Sequence, residues 1–395
     1  MVYIYRFFVY SMIIISGKEK QIHKFVFVAG FMRVRLGDVC EKGSSNLKQS
    51  DVIDKNGEYE IYGASGLIGK VDFFHQEKTY IAVVKDGAGI GRTMLLPEKT
   101  SVIGTMQYIL PNEKVIPKYL YYVIRYMHLE KYFTGATIPH IYFKDYKREE
   151  FNLCNLSEQE KIVSTLSKIE KIITHRKQQF EKLDLLVKGR FVEMFGDPVS
   201  NPMGWVTKPL LSIGKCKNGM NFHYDDSGIE VHCLGVGNFK NLSIIDNTTI
   251  LPKISLNEMP SDEYLLKNDD IVFVRSNGNK ELVGRSLAIY PNNIPTTFSG
   301  FCIRFRKNDN SIIVPYLLRV LKTESIRKKM TGRGANIQNL NQQILSTLEI
   351  PIPPFNLQTQ FADFVKQVDK SRTAIQNELK KTQMLFDSLM QGYFG

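Results

Sequence analysis

Apolar residues spaced alternately four and three apart run from Leu156 to Gly196, and the same pattern occurs a second time in the chain. The first copy takes in Ile162, Leu166, Ile169, Ile173, Phe180, Leu183, Val187 and Met194, with Arg176 and Arg190 at the two remaining positions. Apolar residues held to a seven-residue repeat over this length specify a long helix with a narrow seam for another helix. Adding 199 to each seam position gives Phe361, Val365, Val368, Arg372, Ile375, Leu379, Thr382, Phe386, Leu389 and Tyr393. Both copies end in Phe-Gly, and the same offset aligns Gly135-Ala136-Thr137-Ile138 with Gly334-Ala335-Asn336-Ile337. Residues 135–196 and 334–395 therefore form a gap-free internal repeat, and a repeat governs the fold before any single element does. The alternative, two unrelated amphipathic helices in separate cores, would need that shared register to arise by accident.

A chain of 395 residues has room for two or three domains around the repeat. Its net charge of +12 favours an anionic partner, most often nucleic acid. The five cysteines are scattered, odd in number and without a Cys-x-x-Cys pair, which fits a reducing, cytoplasmic setting without disulfides. Cys216, His223, His232 and Cys233 match no zinc spacing, so no metal site is expected.

Residues 1–32 read as a separate N-terminal extension, with Met32 as the natural start and residues 1–31 not native. The apolar run Val2–Ile15 is interrupted by Arg6. It is too short for a comfortable membrane span and lacks the preceding basic region of a signal peptide. Residues 33–155 form a first globular unit, with strands at Thr79–Val84 and Met106–Leu110. Pro117 opens a helix expected to reach about Tyr132, closed by Gly135. Spacer helix 1 occupies 156–196. A second globular unit, 197–353, repeats the plan, with strands at Asp270–Val274 and Phe301–Phe305. There Pro315-Tyr316-Leu317 answers Pro117-Lys118-Tyr119-Leu120, and Gly332 and Gly334 close the helix. Spacer helix 2 occupies 354–395. The expected class is mixed α/β: two globular units alternating with two long helices that pair as an antiparallel coiled coil in a pseudo-twofold repeat.

Catalytic motifs are lacking. Gly87-Ala88-Gly89-Ile90-Gly91-Arg92 follows a strand as phosphate-cradling loops do, but its spacing is not that of a dinucleotide loop and an extended stretch follows. Ala64–Lys70 ends in Gly-Lys without the remaining P-loop residues. Ile352-Pro353-Pro354-Phe355 puts an apolar residue where adenine methyltransferases need a polar one. The loops that stand out are basic, polar and rich in glycine: Lys85 through Arg92 and Thr93, and Arg275-Ser276-Asn277-Gly278-Asn279-Lys280 continuing to Arg285. Arg, Asn and Ser are residue types that read base edges, while other cations hold phosphates. The competing reading is a solvated hairpin tip. Two further stretches occupy equivalent places in the repeat, one carrying His140, Tyr142 and Lys144 and the other Arg333, Asn336 and Asn339. They either support a DNA face or brace each globular unit against its helix.

With these residues in view, the chain over about 33–395 resembles the DNA specificity subunit of type I restriction-modification systems. The marks are Gly135-Ala136-Thr137-Ile138-Pro139-His140-Ile141, Leu156-x-Glu158-Gln159, and the repeated unit–helix order. The second copy departs, with Gln338-Asn339 for Pro139-His140 and Phe355-Asn356-Leu357-Gln358 for the Leu-x-Glu-Gln run. The resemblance implies two target recognition domains, each reading half of a bipartite double-stranded DNA sequence, with the paired helices as a ruler. It implies a non-catalytic chain without its own cofactor or membrane segment. Two methyltransferase subunits would supply S-adenosylmethionine chemistry on adenine, and restriction subunits would use ATP and Mg to translocate and cut. A methyltransferase or fused restriction enzyme in its own right, and a coiled-coil scaffold that does not bind DNA, are the rival readings.

Overall fold

The structure, a computed structural model, describes residues 9–16, 19–26, 32–52, 55–135, 139–222, 227–239, 243–279, 281–331 and 339–395. The chain divides into two units, Met1–Lys177 with Asn377–Gly395, and Gln178–Gln376.

Unit 1 opens with an antiparallel hairpin of β1 (Val9–Ser16) and β2 (Glu19–Val26), so the apolar run near the N-terminus supplies a strand. There follow β3 (Met32–Arg35), β4 (Cys40–Ser44), β5 (Tyr59–Gly63), β6 (Gly66–Val71), β7 (Tyr80–Val84), β8 (Thr93–Leu96), β9 (Ser101–Val102) and β10 (Met106–Pro111). Then come α1 (Pro117–Tyr126), α2 (Phe143–Tyr146), β11 (Glu150–Leu153) and the long helix α3 (Leu156–Phe195). The main sheet runs β4-β10-β7-β8, all antiparallel, with a smaller sheet β6-β5-β9 and a pair β11-β3. Strand β7 is an unbroken apolar run because both its faces are covered. Ile81 and Val83 face the core that contains α1, whereas Tyr80, Ala82 and Val84 face a second core.

Helix α1 is shorter than the sequence suggests. Pro117 sits in its first turn, but the helix stops at Tyr126, and His128 takes a left-handed conformation at φ 52° before a short 3-10 turn, Leu129–Tyr132. The closing residue is thus His128 and not Gly135.

Unit 2 contains β12 (Thr207–Pro209), β13 (Gly214–Asn218), β14 (Ile229–Leu234), β15 (Ile244–Ile245), β16 (Lys253–Leu256), β17 (Asp270–Val274), β18 (Ser286–Ile289), β19 (Thr296–Phe298) and β20 (Cys302–Lys307). Helices α4 (Val314–Leu321), α5 (Glu324–Thr331) and α6 (Gln342–Ser346), strand β21 (Glu349–Pro351) and the long helix α7 (Phe355–Phe394) complete the chain. The sheet β13-β20-β17-β18-β15 repeats the β4-β10-β7-β8 order of unit 1 with one strand added, and β12-β21 repeats β11-β3. Strand β17 alternates as β7 does, with Ile271 and Phe273 in one core and Val272 and Val274 in the other. The single counterpart helix expected after Pro315 is two helices, broken after Leu321, and its expected closing residues Gly332 and Gly334 lie outside the described residues.

The long helices meet inside each unit. In unit 1, Ile162, Leu166, Ile169 and Ile173 of α3 share a core with Leu379, Phe386 and Leu389 of α7. In unit 2, Leu183 and Val187 of α3 share a core with Phe361, Val365 and Val368 of α7. Each unit thus pairs an early stretch of one helix with a late stretch of the other, which is antiparallel pairing. The inner seam turns polar. Arg176 donates to the Glu378 carbonyl and the Thr382 hydroxyl, while Arg372 bonds Asp184 at 2.5 Å and lies 5.4 Å over the half-buried Phe180 ring; Ile375 is also half-buried. Toward the helix ends the buried stripe leaves the strict heptad. Phe191, Phe195, Met390 and Phe394 are buried, whereas Arg190 and Met194 are half-buried. A straight helix drifts from a seven-residue repeat, and here the drift turns the stripe toward the globular core, where Phe195 packs on Tyr316 at 4.8 Å.

Two buried glutamines join helix to globular part. Gln159 Oε1 accepts from Ile116 N at 2.8 Å, and its Nε2 donates to the carbonyls of Lys114 at 3.0 Å and Cys154 at 2.9 Å. Gln358 does the same with Ile313 N at 3.0 Å and the carbonyls of Ser311 and Pro353 at 2.8 and 2.9 Å. Ile116 and Ile313 are the N-caps of α1 and α4, so each glutamine satisfies a free amide at a helix start. Tyr119 and Tyr316 likewise both donate to carbonyls of the paired strand, at Asn152 and Pro351. These contacts put Pro117 opposite Val314, so the two prolines lie one position apart in the repeat.

Candidate nucleic-acid interface

The connection from β7 to β8 in unit 1 is a tight loop whose Gly87, Gly89 and Gly91 all have positive φ. Its base closes by Val84 N to Arg92 O and Gly91 N to Val84 O, both 2.9 Å. The segment 139–141 lies along it as a strap, with Gly87 N donating to Pro139 O at 3.0 Å and Ile141 N to Lys85 O at 2.9 Å. This pairing brings the two sequence-distant stretches together. His140 Nδ1 sits 2.6 Å from Asp86 Oδ1, and Lys85 Nζ is 3.7 Å from the other carboxylate oxygen. The rings of His140 and Tyr142 lie 6.4 Å apart and nearly parallel, and Lys144 Nζ is 5.4 Å from the Tyr142 ring centre.

Lys85, His140, Tyr142 and Lys144 all line one cleft of about 420 Å³. Its wall also includes Lys42, Ser44 and Gln107, which sequence reasoning missed. They reach it because β4 pairs with β10 in the register Gln107↔Ser44, a pairing without a local sequence signal. Arg92 faces a neighbouring cleft of about 310 Å³ with Gln49, Ser65 and Thr105, and donates to the Ala64 carbonyl at 3.0 Å. Asp86 lines both clefts. The Thr93 hydroxyl donates to Gly91 O at 3.1 Å and closes the turn. A strand follows the glycine loop, so no helix N-terminus stands behind it as in a nucleotide cradle.

Unit 2 builds the same strap. Val274 N donates to Arg285 O at 2.9 Å, Gly284 N to Val274 O at 2.8 Å and Leu340 N to Arg275 O at 2.8 Å, while Ser276 bridges to Asn339. Arg275 is half-buried and one Nη donates to Gly300 O at 3.2 Å, which among the described residues leaves the rest of its fork for another acceptor. Asn277 Oδ1 accepts from Asn279 N at 2.8 Å, so its amide N–H groups are what it can offer a ligand. Asn339 is exposed, and Arg285 lies near Lys322 and Arg327, which are depressed first by burial and then by neighbouring cations, Arg285 among them. Lys280, Arg333 and Asn336 lie outside the described residues.

Among the described residues no cluster of three or more His, Cys, Asp or Glu side chains could hold a metal ion. All five cysteines are free. No described helix is long and apolar enough to cross a membrane.

The model of the type I restriction modification DNA specificity domain matches this chain twice, over residues 29–183 and 203–382. The chain belongs to that family. Each matched copy takes in one globular part and most of the long helix that follows it. Among curated specificity subunits, that of the type I restriction enzyme StySPI from Salmonella potsdam is 26% identical over 289 residues, 66% of this chain and 60% of the relative. That of MjaVIII from Methanocaldococcus jannaschii is 24% identical over 313 residues, 73% of this chain and 72% of the relative. The match therefore spans about three fifths of the StySPI subunit's length. The fold matches the crystal structure of a type I S subunit from M. genitalium with a TM-score of 0.57 at 19% identity, covering 93% of this chain and 97% of that one. A structure from a study of type I complex assembly and conformational transition matches with a TM-score of 0.55 at 14% identity, covering 91% of this chain and 96% of that one.

Proposed function

We propose that this chain is the DNA-reading subunit of a type I restriction-modification complex and carries no catalytic centre itself. Each globular part, with its glycine-loop strap, reads one half of a bipartite double-stranded target. The observation that carries this reading is the duplicated strap in a chain matched twice by the specificity-domain model. In unit 1, Lys85, Lys144 and Arg92 supply the cations, and His140 and Tyr142 supply polar groups suited to base edges. In unit 2, Arg275, Ser276, Asn277 and Asn339 take those roles. Two methyltransferase subunits, recruited by the twofold repeat, modify adenine with S-adenosylmethionine. Restriction subunits supply ATP-driven translocation and cleavage.

Long-read methylation sequencing tests this in a methylation-free host that expresses the chain with the methyltransferase encoded beside it, against the methyltransferase alone. A split adenine-methylated motif that depends on this chain is the expected result. Its absence from a folded, associated complex would overturn the reading. In the same assay Arg275→Ala should weaken or relax only one half-site, by about 1–3 kcal/mol for a lost base contact. Equal weakening of both half-sites would remove Arg275 from base reading.

A further inference from the structure

Unit 2 holds an excess of positive charge that its counterpart in unit 1 lacks. The offsets fixed by the buried glutamines and tyrosines set Tyr122 opposite Arg319, Arg125 opposite Lys322 and Glu170 opposite Asp369. In unit 1 the site is balanced: Arg125 Nη1 and Tyr122 Oη both meet Glu170, at 2.5 and 2.6 Å. In unit 2, Asp369 and Asp184 are taken by Arg372, at 3.4 and 2.5 Å. Among the described residues no carboxylate comes within ion-pair distance of Arg319, Lys322 or Arg327, all of which are half-buried. Lys322 Nζ has the Ser243 hydroxyl at 2.8 Å, and Arg327 Nη2 has the Glu281 carbonyl at 3.1 Å. Arg319 Nε and Arg327 Nη1 are buried without a hydrogen-bond partner among the described residues. Partly desolvated cations with idle donors cost stability unless an anion joins them.

We infer that Arg319, Lys322 and Arg327, where α4 and α5 meet the strap loop of unit 2, form a site for a phosphate oxyanion. The proposal rests on the DNA-reading assignment only for the source of that phosphate, which is either the backbone of bound duplex or free phosphate. Burial and the facing Arg319, Arg372 and Arg285, against the carboxylates of Asp184 and Asp369, push the Lys322 ammonium down to about 8. An anion at this site would restore the charged form. Without one, stability rises as pH climbs from about 8 toward the unfolded lysine value, where the unfolded chain binds the extra proton.

The test uses the full chain and two probes. Calorimetric titration and thermal melts with sodium phosphate, against chloride at equal ionic strength, should give saturable binding and a raised Tm. Arg319→Met with Lys322→Met should abolish both, while melting no lower than wild type in chloride because two uncompensated charges are gone. Arg125→Met, at the balanced unit 1 counterpart, should leave phosphate binding intact. The second probe is a random-sequence duplex titrated across salt concentrations. A slope of log K against log salt that falls by about 0.9 per lost contact in the double variant assigns the phosphate to the DNA backbone. Phosphate binding with an unchanged slope supports the site and assigns it to free anion. No saturable phosphate effect on the wild type overturns the proposal. The random duplex needs no target motif, so failure of the sequence-reading assignment would show in the methylation assay and leave this result standing.

Discussion

Gln159→Ala is expected to destabilise unit 1 by about 3–5 kcal/mol, and Gln358→Ala to do the same to unit 2. Each substitution strands one amide and two carbonyls that are inside the protein, and each stranded buried group costs about 1–3 kcal/mol before water relieves part of it. For a unit of this size that is roughly a 10 °C loss in Tm. Scanning calorimetry would measure it, and amide exchange at Ile116 or Ile313 would localise it to the affected helix start. Gln159→Glu separates hydrogen bonding from shape. Its carboxylate still accepts from Ile116 N, but it faces the carbonyls of Lys114 and Cys154 with no proton to give them. The folded state therefore raises the new carboxyl's pKa, so this variant should recover stability as pH falls and the protonated acid donates again. A Tm change below about 2 °C for Gln159→Ala, or no recovery of the Gln159→Glu variant at low pH, would show that these bonds do not hold the unit to its helix.

How well the sequence disclosed the molecule depended on whether a feature was local. The seam was legible because the heptad spacing and the 199-residue offset lie in one dimension. Both long helices form, and every seam residue from Ile162 to Leu389 is buried or half-buried. Central strands β7 and β17 were legible as apolar runs. The limit of α1 was not, since His128 in a left-handed turn leaves no glycine or proline to announce it. The prolines misled by one position because proline is tolerated at either of the first two helical positions, whereas Tyr119 and Tyr316 are placed by a bond to another strand. In the sequence Gln159 is visible only as part of a motif, and Gln358 only as part of a departure from it. Their shared role is to complete a helix start some 45 residues earlier, which only the fold brings near. The same holds for the cleft. The strap loops could be read as basic, glycine-rich turns, but Lys42, Ser44 and Gln107 depend on strand register.

Adding four helix-forming residues to each long helix, after Lys177 in α3 and after Gln376 in α7, is expected to abolish methylation of the original motif. It should create a motif with the same two half-sites and a gap about two base pairs longer. Four residues add about 6 Å of helix, and duplex DNA rises about 3.4 Å per base pair. The insertion points fall at the boundary between the units, so the helix contacts inside each unit are retained: Ile162 through Arg176 still face Leu379 through Leu389, and Val187 and Arg372 keep their partners. Insertion into α3 alone is the informative contrast. It lengthens one helix against an unchanged partner, so the seam on one side must slip by four residues and bring Ile173 or Val187 out of register. The expected result is a lower Tm, with no new motif. Long-read methylation sequencing of both variants decides between a ruler and a tether. Changed bases in either half-site, or an unchanged gap in a double insertion that still folds, would mean that the distance between half-sites is set elsewhere than in the paired helices.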